Sequence, residues 1–158
     1  MRILDLVAGI ALLSAVSGAA LGQECAPDRV DIRYGDTQVS FTVDVVDTPE
    51  SRAQGLMFRE EMADDAGMLF IYESPHTATF WMKNTLISLD MLFVSYDGIV
   101  LNIKKNATPL SEDVIPGGPG ILEVLEINGG LVDELGLGIG AQMRHPSLDQ
   151  RTAAWACE

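Results

Sequence analysis

The sequence is short of basic side chains. Its 158 residues contain 10 Lys and Arg against 23 Asp and Glu, which gives a formal net charge of −13. An excess of negative charge repels phosphate backbones over the whole surface. We therefore expect no nucleic-acid partner.

Cysteine and histidine are equally scarce, with two of each. His76 and His145 are isolated, and no pair of cysteines has the spacing of metal ligands. The methionines are scattered along the chain, which is typical of core packing rather than of a copper site. Neither a Gly-x-Ser-x-Gly elbow nor a phosphate-binding loop occurs. We expect no metal and no cofactor.

Only one apolar run is long, from Leu6 to Leu21. It follows Arg2 and ends at the small residues Ala20-Leu21-Gly22, a pattern that predicts a signal peptide over residues 1–22. An uncleaved anchor and lipidation at Cys25 are the alternatives. After cleavage no segment has the length of a membrane span, so the protein is expected to be exported, either periplasmic or secreted.

Residues 23–158 are long enough for one domain and too short for two complete cores. Their two cysteines, Cys25 and Cys157, lie at opposite ends of this segment. In an oxidising compartment they are predicted to form a disulfide, although free thiols or intermolecular pairing remain open. In the chain-entropy model, a disulfide that closes so long a loop raises the free energy of unfolding by about 5 kcal/mol.

Alternating apolar residues and turn signals predict many short strands. The segment Val39 to Val45 alternates with period two, and Asp97-Gly98 is a strong hairpin signal. Short connections favour antiparallel pairing of the strands. So many strands in a small domain favour a sheet that closes into a barrel or sandwich. We predict a mainly β (α+β) fold, a small antiparallel barrel or sandwich with one or two short helices. The predicted strands cover residues 30–34, 39–45, 67–72, 79–83, 90–95, 99–104, 121–127 and 141–144, with helices at 49–58 and 131–135, a turn at Ser74-Pro75 and a loop over 107–120.

The run Phe80-Trp81-Met82-Lys83-Asn84 is the most unusual in the chain. In a strand, Phe80 and Met82 would face the core while Trp81 and Lys83 face the other side. An indole beside an ammonium can hold a ring-shaped ligand that carries an acidic group. The alternative is that Trp81 covers the edge of the core and Lys83 extends to water.

Arg52, Gly55 and Arg59 are spaced three and four apart, which would place them on one helix face. Two guanidinium groups there could bind a carboxylate or a phosphate. Pairing with acidic residues inside the protein is the alternative interpretation.

Asp90 and Glu126 stand among apolar neighbours. An isolated buried carboxylate is costly, so these two acids are expected to have partners such as Lys83. If they approached each other, their pKa values could separate and give an acid and a base. The sequence alone does not give the distance between the two carboxyl groups.

Four blocks together resemble the signature of the domain-of-unknown-function 192 family. They are Arg52 to Arg59, Gly67 to Phe70, Phe80 to Ile87 with Leu89-Asp90, and Val124 to Glu126 before Gly129-Gly130. The resemblance covers roughly residues 29–146. It implies a compact, mainly β, exported or membrane-anchored single domain with no established activity. Ser88 stands where members usually have Pro, and Gly140-Ala141 replaces the usual Gly-Asp.

Three hypotheses remain. The leading one is a non-catalytic module that binds a small polar or anionic ligand in a groove formed by Arg52, Arg59, Trp81, Lys83 and Asn84. The second is a small hydrolase or lyase that uses Asp90 and Glu126 for proton transfer. The third is an interaction or stability factor of the cell envelope, with a protein partner that binds the Trp81 surface.

Overall fold

A computed structural model describes residues 25–157. The predicted signal peptide, residues 1–22, lies outside the described residues. No helix within them is long and apolar enough to cross a membrane. The predicted Cys25–Cys157 disulfide is present, with Cα atoms 5.7 Å apart.

Seven strands form one curled sheet, which confirms the mainly β prediction. Their order across the sheet is β5-β4-β6-β3-β2-β1-β7. The strands are β1 (Arg29–Tyr34), β2 (Thr37–Val46), β3 (Ala66–Phe80), β4 (Leu89–Ser95), β5 (Val100–Ala107), β6 (Ile115–Asn128) and β7 (Gln142–Arg144), and the helices are α1 (Pro49–Gln54) and α2 (Leu131–Glu134).

The two ends of this order approach each other where β5 begins. Val100 N donates to Ala141 O, and Met143 N donates to Gly98 O. The sheet is therefore a half-barrel, and its inner face is a closed apolar core. That inner cluster is built on Val30, Ile32, Phe41, Leu69, Leu92, Val100, Leu125, Ile127, Met143 and Leu148.

The outer face carries a second apolar cluster, on the three central strands. Because side chains alternate along a strand, the residues between those of the inner cluster point outward. Segments beside α1 and after β3 cover this face. The outer cluster includes Leu56, Met68, Phe70, Met82, Met91, Phe93, Ile121 and Val124.

One pair of strands corrects the expectation of a purely antiparallel sheet. β2 and β3 are parallel, with Val43 beside Gly67. Helix α1 supplies the crossover that a parallel pair requires. It begins with a capping box, since Thr48 Oγ1 accepts from Ser51 N at 3.1 Å and Ser51 Oγ accepts from Thr48 N at 3.1 Å.

Three predicted boundaries were wrong. Helix α1 ends at Gln54 rather than near Phe58. The segment predicted as two strands with a turn at Ser74-Pro75 is the single strand β3, whose pairing with β6 shifts register between Ile71 and His76. Strand β6 begins at Ile115, inside the segment predicted as a loop. A bulge accommodates Pro75 without ending the strand.

Candidate functional site

The indole of Trp81 stands at the end of β3. Its neighbour Met82 is fully buried, whereas Trp81 is 48% exposed. Met82 N donates to Ser111 O at 2.8 Å, which fixes the backbone after the strand ends. Lys83 Nζ lies 5.1 Å from the centroid of the Trp81 ring. The indole and the ammonium thus form one unit on the surface.

A pocket of about 170 Å³ lies between this unit and helix α1. Four of its fourteen lining residues are aromatic, and two of these, Phe70 and Phe80, meet edge to face with centroids 5.2 Å apart. Thr79 and Thr85 add hydroxyl groups. The remaining lining residues are Arg52, Ala53, Gln54, Gly55, Leu56, Met57, Tyr72, Trp81, Lys83 and Glu126.

Gly55 shapes this pocket. Its φ is +48°, and a Cβ added there would lie 3.1 Å from Cζ of Phe70. The glycine therefore ends α1 and lets the chain pass close over the Phe70 ring. The group that approaches Gly55 is thus an aromatic side chain.

Arg52 lines the pocket, but its guanidinium group is committed to the fold. Its Nη1 donates to Asp47 O at 2.6 Å and to Ile71 O at 2.7 Å, while Nη2 contacts Glu73 at 3.2 Å. The guanidinium also stacks on Tyr72, 4.7 Å from the ring centroid. Arg52 holds α1 against β3 and leaves little capacity for an anion.

Two further predicted residues are not among those that line this pocket. Arg59 pairs with Asp44 at 2.7 Å and lines a separate hollow beside Met62. Asn84 adopts φ +56°, and its carbonyl oxygen accepts from Phe58 N at 2.8 Å. The structure brings Arg52, Trp81 and Lys83 together and places Arg59 at another hollow. Asn84 borders the pocket, since its Nδ2 donates to Sδ of the lining residue Met57 at 3.8 Å.

Glu126 joins the pocket from the central strand β6. It is paired with Met68 on β3 and Met91 on β4, so its side chain points to the outer face. Glu126 is 4% exposed, and burial raises the pKa of its carboxyl group to about 8. No hydrogen bond from any described residue reaches this carboxyl group. At neutral pH it is mostly protonated and offers both a donor and an acceptor.

Asp90 lies on the opposite face of the sheet. It is paired with Ile127, whose side chain belongs to the inner cluster. Its carboxylate accepts from Asn106 N at 2.7 Å, Gly130 N at 3.0 Å and Val132 N at 2.8 Å. Asp90 therefore fixes the turn into α2, and the sheet separates it from Glu126.

A second hollow, of about 270 Å³, shares Thr79, Phe80 and Trp81 with the pocket and is completed by Val114. Val114 is among the most exposed apolar side chains of the described residues. The indole of Trp81 therefore borders two hollows, and a ligand that contacts its ring can reach into either.

Sequence reasoning missed Phe70, Tyr72 and Thr79 as pocket residues. Phe70 and Tyr72 lie on one side of the β3 bulge and Thr79 on the other. No local pattern reports that a bulge brings the two ends of a long strand to one hollow. Within residues 25–157, no group of three His, Cys, Asp or Glu side chains is placed to hold a metal ion.

Comparison with known proteins identifies the family. The profile of DUF192, described as uncharacterized ACR, matches residues 30–145. The chain belongs to this domain-of-unknown-function 192 family, which confirms the resemblance predicted from the sequence blocks. No curated protein matches the chain.

Two solved structures are similar to this chain. A protein of unknown function from Novosphingobium aromaticivorans DSM 12444 is 42% identical, with a TM-score of 0.71, over 73% of this chain and 82% of that one. A proposed transcription regulator from Sinorhizobium meliloti 1021 is 39% identical, also with a TM-score of 0.71, over 77% of this chain and 95% of that one.

Proposed function

We propose that this protein is an exported module that binds a small ring-shaped ligand, without catalysis there, in the pocket between Trp81 and α1. One observation carries the proposal: the buried Glu126 carboxyl group lines an open pocket and has no hydrogen-bond partner among the described residues. Buried polar groups in folded proteins nearly always have partners. The Glu126 carboxyl group reaches the open pocket, where water or a ligand can be that partner.

The chemistry of the pocket defines the ligand. Protonated Glu126 pairs best with a neutral group, such as a hydroxyl, an amide or a ring carbonyl, because it both donates and accepts. The aromatic walls and the Trp81 indole favour a planar or ring-shaped body. Lys83 is the cation available at the rim, since its one ionic contact within residues 25–157 is with Glu112, at 3.9 Å. An acidic group on the ligand therefore belongs at the rim, away from Glu126.

Export is part of the proposal and is supported by the Cys25–Cys157 disulfide. Disulfides persist in oxidising compartments such as the periplasm and the extracellular space. The alternative of paired catalytic carboxylates has no support in the geometry, because Asp90 and Glu126 face opposite sides of the sheet. A protein partner at the Trp81 surface remains untested.

A screen by ligand-observed NMR tests the proposal. Small sugars, ring carboxylates and cyclic amides are added to the purified protein, to Trp81→Ala and to Glu126→Gln. We expect hits among ring compounds that weaken at least about tenfold in Trp81→Ala, because the indole supplies most of the contact area. Glu126→Gln is expected to change which compounds bind, since its amide presents two N–H donors where the carboxylic acid has one O–H donor.

Tyr96→Ala is the matched control, since Tyr96 is an exposed aromatic residue that does not line the pocket. Its hits should equal those of the wild-type protein. Hits that persist unchanged in both pocket variants, or a library without any hit, would contradict the proposed function.

A further inference from the structure

A second cluster of titratable and nucleophilic side chains lies at the end of β7, away from the pocket. Ser147 Oγ is 2.5 Å from His145 Nδ1 and 2.5 Å from Glu123 Oε1. His145 and Glu123 are buried, whereas Ser147 is exposed. His145 Nε2 lies 3.0 Å from Pro27 O. Pro27 O, His145, Ser147 and Glu123 thus form one continuous chain of hydrogen bonds. The exposed Ser147 lies between the two buried side chains.

The positions of the protons follow from the partners. A carbonyl oxygen only accepts, so His145 Nε2 must carry a proton to bond Pro27 O. Burial lowers the pKa of His145, which keeps its ring neutral and leaves Nδ1 without a proton. At 2.5 Å, Nδ1 and the Ser147 oxygen need a proton between them, and the serine hydroxyl group supplies it.

Glu123 must then supply the proton of its own bond to Ser147. Burial raises the pKa of Glu123 to about 7, so about half of the molecules carry this proton at pH 7 and most of them carry it at lower pH. Its Oε2 is buried and has no hydrogen-bond partner. Ser147 Oγ donates to Glu123 Oε1 when that carboxyl group is ionised; when it is protonated, Ser147 Oγ accepts from Glu123 and donates to His145 Nδ1.

This is the arrangement that nucleophilic catalysis needs: a hydroxyl group, a neutral base within hydrogen-bond reach, and a third group that fixes the base. We propose that Ser147 is a nucleophile, activated by His145 and positioned by Pro27 O and Glu123, that reacts with small carboxylic esters. This site is independent of the ligand pocket.

The reaction balances without a further reactant except water. The Ser147 oxygen attacks the ester carbonyl carbon while its proton passes to His145 Nδ1. The alcohol leaves and takes that proton, which gives an acyl-serine. Water then attacks the acyl-serine with His145 as base, and the carboxylic acid and free Ser147 are released. Glu123 keeps its proton throughout.

The position of Ser147 limits the substrate. The residue is exposed and follows Pro146 on the surface, so the structure encloses little of a bound molecule. Small esters with good leaving groups suit such a site, because they need neither a deep pocket nor strong assistance to the leaving group.

A small alkyl fluorophosphonate tests the nucleophile directly. The Ser147 oxygen would form a bond to phosphorus as the P–F bond breaks, with fluoride leaving and the proton passing to His145. Intact-mass measurement and peptide mapping of the purified protein should show one adduct, at Ser147. Ser147→Ala should form none, whereas Ser74→Ala, which removes another exposed serine, should react at the wild-type rate.

The base is tested by two variants. His145→Gln should slow adduct formation at least about 100-fold, as loss of a general base does. Glu123→Gln keeps a donor to Ser147 and should stay within about threefold of the wild-type rate. No adduct, an adduct at another residue, or equal rates in the wild-type protein and His145→Gln would overturn the proposal.

Folding is controlled by a second measurement, which needs no variant. The wild-type protein is labelled in buffer and after unfolding in urea. A serine activated by the fold reacts faster in buffer. Equal or faster labelling of the unfolded chain would show that the cluster is structural only.

Discussion

Asp90 and Glu126 lie on adjacent central strands, at neighbouring positions of the same ladder, and both are buried. Their surroundings differ completely. Asp90 faces the inner core and accepts three backbone hydrogen bonds. Glu126 faces the outer pocket and accepts none from the described residues, so its pKa rises to about 8.

This contrast separates a structural carboxylate from a candidate functional one. Three N–H groups compensate the lost hydration of Asp90, and two of them, those of Gly130 and Val132, would otherwise be unsatisfied at the start of α2. Glu126 receives no such compensation and remains in the fold at a cost. The two faces of one sheet thus serve different purposes: the inner face holds the fold together, and the outer face carries a group whose partner is absent from the fold.

The largest effect is expected for Asp90→Ala. The substitution leaves three backbone donors without their acceptor, and we expect the free energy of unfolding to fall by about 3–5 kcal/mol. Urea titration at pH 7 measures it. Asp90→Asn keeps one acceptor oxygen and should lose less. A change below about 1 kcal/mol in Asp90→Ala would mean that water replaces the carboxylate and that the inner face is not closed.

Glu126→Gln should have a smaller effect, and one that depends on pH. The folded protein holds the Glu126 proton to about pH 8, whereas the unfolded chain releases it near 4.5. Stability from this group is therefore complete below pH 4.5 and is lost as the pH rises to 8, by at most about 1.4 kcal/mol per pH unit. In Glu126→Gln the free energy of unfolding does not fall with pH through this group. At pH 8 the variant should therefore be more stable than the wild-type protein by at least about 1 kcal/mol.

The measurement is urea unfolding between pH 5 and pH 8. Glu123 also makes stability fall with pH, but mostly below pH 7, so Glu126 dominates the change between pH 7 and pH 8. Glu112→Gln, an exposed acid on the surface, is the control and should keep the wild-type slope. A Glu126→Gln protein that loses stability as steeply as the wild-type protein in that interval would place the source of the slope elsewhere.

Local pattern was enough to predict most of the inner face. The alternation from Val39 to Val45 and the hairpin at Asp97-Gly98 report local geometry, and both lie where they were predicted. The strand β6 was predicted too short because Pro116 and Gly117 are typical of loops. In the structure a Cβ at Gly117 would lie 2.3 Å from the Phe93 ring, so the glycine allows close packing within the sheet.

The outer site was predictable only in part. Exposure of Trp81 and burial of Met82 were predicted from alternation in a strand over 79–83, and both are observed although β3 ends at Phe80. The grouping of Arg52 with Arg59 assumed a helix that continues to Phe58, and α1 ends four residues earlier. The separation of Asp90 from Glu126 depends on the register between β4 and β6, which no single segment encodes.

The smallest effect on stability is expected for Lys83→Gln. The Lys83–Glu112 pair is exposed, at 41% and 64% of the two side chains, so its loss should change the free energy of unfolding by less than about 0.5 kcal/mol. Lys105→Gln is a closely matched control, because its pair with Asp133 is 44% and 64% exposed and lies outside the pocket.

The two variants should therefore unfold alike and differ in binding. Ring carboxylates that bind the wild-type protein should lose about tenfold in affinity for Lys83→Gln, as expected for a charge-assisted hydrogen bond, and nothing for Lys105→Gln. NMR titration measures both affinities. Equal binding by the two variants would remove Lys83 from the site and leave Trp81 and Glu126 to select a neutral ligand.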